Sequence, residues 1–142
     1  GSSTQQTICF TDLLATFASI TGTELKHSDG PDSFDFSTVL NGKREDTNPV
    51  RAALPIRSGG GMMTIREGKW KLIQGLGSGG FSQPRRLKPE AGQPAGQLYD
   101  LLSDPQETQN LYLRHPEIVS RLEGTLEKIV TSGRHRQGRH RE

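Results

Sequence analysis

Only one cysteine, Cys9, occurs in 142 residues, so no intrachain disulfide can form and no cysteine metal cluster is on offer. Aromatic residues are 6% of the chain and hydrophobic residues 30%. Leu, Ile, Val and Phe together make up about a fifth, near the level at which chains cease to fold alone. A small core with long irregular connections is predicted, part of it shaped for a neighbour. An excess of charge is lacking as well, the formal net charge being +2. That excess sits in Arg134 to Glu142, a run of four Arg, two His and one Glu, and the body before it is nearly neutral. The basic balance therefore gives little support for a nucleic-acid-binding face. No apolar run approaches the roughly 20 residues of a membrane span. No signal peptide is recognisable, which says nothing about a longer parent.

Glycine and proline are plentiful at 17 and 8 residues, and they punctuate the chain. Thr11 to Gly22, TDLLATFASITG, predicts a short amphipathic helix with Leu13, Phe17 and Ile20 on one face and Gly22 as its left-handed stop. Asp29-Gly30-Pro31 breaks the chain. Phe34 and Phe36 then serve as anchors before one helical turn, Ser37 to Leu40. Ala52 to Arg57 reads as a strand. MMTIRE and KWKLIQGL alternate on either side of Glu67-Gly68, a hairpin signal. Gly77 to Gln97 is a long Gly/Pro-rich loop, of a length that is usually functional or disordered. A strand is expected at Gln97 to Leu102, then the turn DPQETQNL with Asp104 accepting from the backbone.

The clearest element is the last. Pro116 opens a helix after His115, and Ile118, Val119, Leu122, Leu126, Ile129 and Val130 form one apolar stripe. Gly133 stops it. The order helix, strands, strand, helix predicts an α+β fold: a small antiparallel sheet of about four strands packed with a C-terminal helix.

Candidates for chemistry are few. Cys9, between apolar neighbours, reads as a buried and inert thiol. His27, His115, His135 and His140 lack metal-ligand spacing, and His115 reads as a helix cap. Asp29, Asp32 and Asp35 are broken up by Pro31 and Phe34, so a calcium loop is not expected. GLGSGG, Gly75 to Gly80, has the composition of a phosphate loop, but no Lys-Ser/Thr and no helix follow it. A flexible hairpin loop is the simpler expectation there.

Taken in order, four segments resemble the C-terminal region of formylglycine-dependent (type I, arylsulfatase-like) sulfatases of the alkaline-phosphatase-like superfamily. They are DLLATFASITG, GPDSFDFSTVLNGK, IREGKWKLI and LYDLLSDPQETQNLYLRHPEIVSRL. The resemblance covers about Thr7 to Gly133. It implies that residues 1–48 end the sulfatase core domain, with the first helix left over from it. Residues 49–133 would then be the C-terminal subdomain and 134–142 a basic disordered tail. It further implies that the nucleophile, formylglycine made from a C-x-P/A-x-R motif, and the calcium ion both belong to a missing N-terminal catalytic domain. Cys9 is followed by Phe-Thr-Asp-Leu, so that motif is absent here. No catalytic residue and no metal ligand of this chain maps onto the family's set. The implied role is to pack on the catalytic domain and shape its substrate pocket, with Arg57, Ser58, Gly77, Ser78, Gly79 and Phe81 as rim candidates. Relatives often carry histidines where Ile56 and Arg57 stand here. Two other readings compete: a stand-alone module for sulfated or other anionic polysaccharide, using Arg57, Arg85, Arg86, Lys88 and the tail, and an engineered fragment without native activity. Expected partners are the missing catalytic domain and, through the N-terminal third, a second copy of the chain. The sulfate ester and the compartment, periplasmic or secreted, are not read from this sequence.

Overall fold

The computed structural model describes residues 3–26 and 28–133. The chain divides into two compact units, one over the first 52 residues and one over Ala53–Ile129. The expected tail from Arg134 to Glu142 lies outside the described residues, as does His27.

In the first unit a single 3-10 turn, Phe10–Asp12, leads into helix α1, Leu13–Thr21, which ends on Gly22 at φ 68. A second short helix, α2, covers Ser37–Leu40. These bounds match the sequence expectation. Ala15, Thr16 and Ala18 are buried, whereas Leu14, Phe17 and Ile20 are exposed. The reason lies in what approaches the helix. The segment Ser33–Phe36 is held close by polar bonds: the Ala15 amide donates to Ser33 Oγ at 2.8 Å, and the Phe36 amide donates to Thr16 Oγ1 at 3.1 Å. Only a face of small side chains lets a backbone come that near.

The hub of this unit is Asp12, fully buried. One carboxylate oxygen accepts from the Phe34 amide at 3.0 Å and from the Arg51 guanidinium, and the other accepts from the Cys9 amide at 2.8 Å. Arg51, itself buried, also stacks its guanidinium 4.5 Å above the Phe34 ring. A buried charge requires such pairing, because its unpaired desolvation penalty is several kcal/mol.

The second unit is a four-stranded antiparallel meander: β1, Leu54–Arg57; β2, Met63–Glu67; β3, Trp70–Ile73; β4, Gln97–Asp100, in the order β1-β2-β3-β4. Glu67 pairs with Trp70 across a two-residue turn. Gly68, at φ 55, supplies the positive φ that primed hairpin turns need. The register puts Ile65 opposite Leu72 and Leu72 opposite Leu98. That row is completely buried, and Val119, Leu122 and Leu126 of helix α3, Pro116–Ser132, close over it. The expected fold class, sheet and terminal helix are all present.

Several details differ from expectation. Val130 is exposed although it continues the apolar stripe. Strand β4 ends at Asp100 rather than Leu102, because the Asp100 carboxylate accepts from the Leu102 amide at 3.1 Å and bends the chain. His115 caps α3 with its carbonyl, which accepts from Ile118 and Val119. Its ring lies 5.3 Å from that of Trp70. Cys9 is partly exposed rather than buried, with a free thiol.

Candidate functional site

The rim expected from the sequence falls in the second unit, where two turns meet. After β1, Ser58 to Met62 forms a tight connection closed by the Ser58 amide on the Met62 carbonyl at 2.9 Å, while the Met62 amide donates back to Ser58 Oγ at 3.0 Å. The second turn begins after β3. The long Gly/Pro-rich stretch that follows folds back on itself as a hairpin. Leu76 bridges Leu87, the Ser78 amide donates to the Pro84 carbonyl at 3.0 Å, and the Gly79 amide donates to the Arg85 carbonyl at 2.9 Å. Gln97 adds two bonds from its amide to the carbonyls of Gly75 and Gly77. The physical reason is glycine. Gly77 stands at φ 95, with the Pro84 carbonyl oxygen 2.7 Å from where a Cβ would lie, so only Gly admits the returning strand.

The two turns are joined. The Gly60 amide donates to the Gly79 carbonyl at 3.2 Å, and Arg86 Nη2 donates to the Gly60 carbonyl at 2.7 Å. Gly79 is seated over buried Met62, whose sulfur lies 3.0 Å from its would-be Cβ, with Ser58 Oγ at 3.1 Å.

Of the expected rim residues, Ser58, Gly77 and Gly79 are therefore brought into one assembly, with Arg57 entering it from the end of β1. Ser78 shapes the loop internally through its hydroxyl, which donates to the Ser82 carbonyl at 2.5 Å. Phe81 projects at the tip, 97% exposed. Arg86 was not among the expected rim residues. Its place depends on the Leu76–Leu87 closure, which alternation does not reveal; the Arg85-Arg86 pair inside a Gly-rich loop was the available signal.

Electrostatically the assembly is uncompensated. Elsewhere in this unit Lys69 pairs with Asp100 at 2.6 Å, Lys71 with Glu107 at 2.6 Å, and Arg121 with Glu67. Lys69 holds the Asp100 carboxyl below the usual carboxylate range, helped by the amides of Leu102 and Ser103 against burial. Among the described residues no carboxylate forms an ion pair with Arg57, Arg85 or Arg86.

Among the described residues no three of His, Cys, Asp or Glu come together in a way that could hold a metal ion. Asp29 and Asp35 serve local turns, accepting from the amides of Lys26 at 3.0 Å and Ser37 at 2.8 Å. No described helix is long and apolar enough to cross a membrane.

Comparison with known proteins places these features in context. No family model matches the chain. It is 29% identical over 121 residues to an N-acetylgalactosamine-6-O-sulfatase of Bacteroides thetaiotaomicron, an alignment covering 84% of this chain and 23% of that protein. A chain solved in work on glycosaminoglycan metabolism by Bacteroides thetaiotaomicron is 29% identical, with TM-score 0.66 over 84% of this chain and 24% of that one. The fold is also that of a protein solved with its substrate D-glucosamine-2-N,6-O-disulfate, at 20% identity and TM-score 0.55, covering 82% of this chain and 22% of that one. The chain is thus similar in sequence and fold to a segment of these proteins, and spans about a quarter of their length.

Proposed function

We propose that the chain acts as the C-terminal portion of a sulfatase, packing on a catalytic domain and shaping the mouth of its substrate pocket, without hydrolysing sulfate esters alone. The observation that carries this reading is the joined pair of turns: Arg57 and Ser58 on one side and the Gly77–Phe81 loop with Arg86 on the other, on a segment similar to sulfatases over 84% of its length. Cys9 lies in no C-x-P/A-x-R motif, so formylglycine and calcium are assigned to the missing catalytic part. The first unit goes with that part. Its exposed Phe10, Leu14, Phe17 and Ile20 form the face that the larger domain would cover. The substrate of the whole protein is a sulfated carbohydrate, by analogy with the relatives named above.

The test is expression of this chain with and without the coding sequence upstream of it. Upstream sequence should contain a C-x-P/A-x-R motif. The chain alone should give no turnover of an aryl sulfate in calcium buffer above the uncatalysed control, and the joined protein should turn it over. Turnover by the purified chain alone would overturn the proposal, as would an upstream region lacking the motif.

A further inference from the structure

The geometry points to an anion site in the second unit, formed by the guanidiniums of Arg57 and Arg86 around Gly61, that takes an oxyanion group carried on a sugar. The site deepens the sulfatase reading above, which supplies the sugar; the oxyanion follows from the geometry itself. Arg57 Nη2 and Arg86 Nη2 lie 3.5 and 3.8 Å from the point where a Cβ on Gly61 would stand. Both guanidiniums therefore border one small space, kept open because residue 61 has no side chain. Gly61 also stands at φ 80, which few other residues adopt.

Two like charges brought together repel, and no carboxylate among the ion pairs of the described residues relieves them. Three nearby cations, Lys69, Lys71 and Arg121, each have their own carboxylate, and Arg66 donates to the Gly68 carbonyl instead. The arrangement is nonetheless held in place. Arg86 is anchored by its bond to the Gly60 carbonyl at 2.7 Å, and Gly60 is tied to Gly79. An anchored guanidinium loses less freedom on binding and keeps its remaining N–H donors for a ligand. Sulfate and carboxylate both match that planar fork. The exposed Phe81 on the adjoining loop offers an apolar face of the kind on which a sugar ring can rest.

Titration of the full chain, followed by amide and Arg Nε–H resonances in nuclear magnetic resonance spectra, tests this directly. The probes are N-acetylgalactosamine 6-sulfate, glucuronate and uncharged N-acetylgalactosamine. The expected result is a saturable shift at Gly61, Gly79 and Arg86 with one or both anions and none with the uncharged sugar. A shift with the first alone identifies a sulfate site, and with the second alone a carboxylate site. Arg57→Met and Arg86→Met, whose spectra report whether the fold is intact, should each weaken binding roughly tenfold. Arg86→Lys should recover only part of the loss, because it keeps charge but not the fork. Absence of shifts with either anion, or unchanged affinity in both Met variants, overturns the site. Restored turnover in the joined protein without anion binding at Gly61 overturns the site and leaves the sulfatase reading standing. Anion binding without restored turnover does the reverse.

Discussion

The two units of this chain are held together by opposite means. In the second, Ile65, Leu72, Leu98, Leu122 and Leu126 are buried at the centre, and charged pairs lie at the surface. In the first, the centre holds Asp12, Arg51, Thr16 and Ser33, while Phe10, Phe17 and Ile20 are 90%, 57% and 60% exposed. Apolar burial needs no directional match and scales with area, so a sheet closed by one helix can be stable with a handful of residues. A polar centre gains little net stability per bond and is costly when one bond is lost. Apolar side chains left outside such a centre have the pattern of a surface shaped for a partner.

Breaking the polar centre should have the largest effect. Asp12→Ala removes the carboxylate that pairs with buried Arg51 and the acceptors for the amides of Cys9 and Phe34. A loss of about 3–5 kcal/mol is expected in the first unit. Hydrogen exchange should show it confined there; a loss below ~1 kcal/mol would mean the network is only decorative. The apolar centre is tested next by Leu122→Ala or Leu126→Ala, each expected to cost about 2–5 kcal/mol in chemical denaturation. A cost under ~1 kcal/mol at both sites would remove the contrast.

A smaller effect on stability, but a visible one on association, is expected on the exposed face of the first unit. Phe10→Ser with Phe17→Ser should change stability by no more than about 0.5 kcal/mol each. It should also lower the self-association proposed for the isolated chain through its N-terminal third. Sedimentation over a wide concentration range decides this. A strictly monomeric parent chain would show that the exposed face is not sticky enough to act without its partner.

The smallest effect is acidic. Asp104 is held below the usual carboxylate value of 3.8 chiefly by the Gln109 amide, with the Thr108 amide second. A depressed carboxylate contributes stability that is fully present above its unfolded pKa and is lost as pH falls through its folded value. The DPQETQNL turn should therefore hold at pH 5 and loosen only below about pH 4, as amide exchange at Thr108 and Gln109 would report. Asp104→Asn should flatten that dependence.

The alternation of MMTIRE and KWKLI, the Glu67-Gly68 turn, and the 3.6-residue stripe after Pro116 were enough to predict the sheet and its helix. Each is a local period that survives any tertiary context. The same periodicity marked an apolar face on α1. Leu13, Phe17 and Ile20 form a good stripe, but the stripe says only that one face is apolar, not that this chain covers it. The proposed rim was half legible. Arg57, Ser58 and the glycines followed from the resemblance to sulfatases, whereas Arg86 joined them only through loop closure.

Local residue order by itself determined the α+β class, the strand and helix positions and the resemblance to sulfatases, because these depend on spacings of a few residues along the chain. Tertiary structure alone decided which face of α1 is buried, that Asp12 and Arg51 meet across 39 positions, and that Arg57 and Arg86 share one space beside Gly61. Those outcomes depend on where distant segments close upon one another, and no local period encodes that.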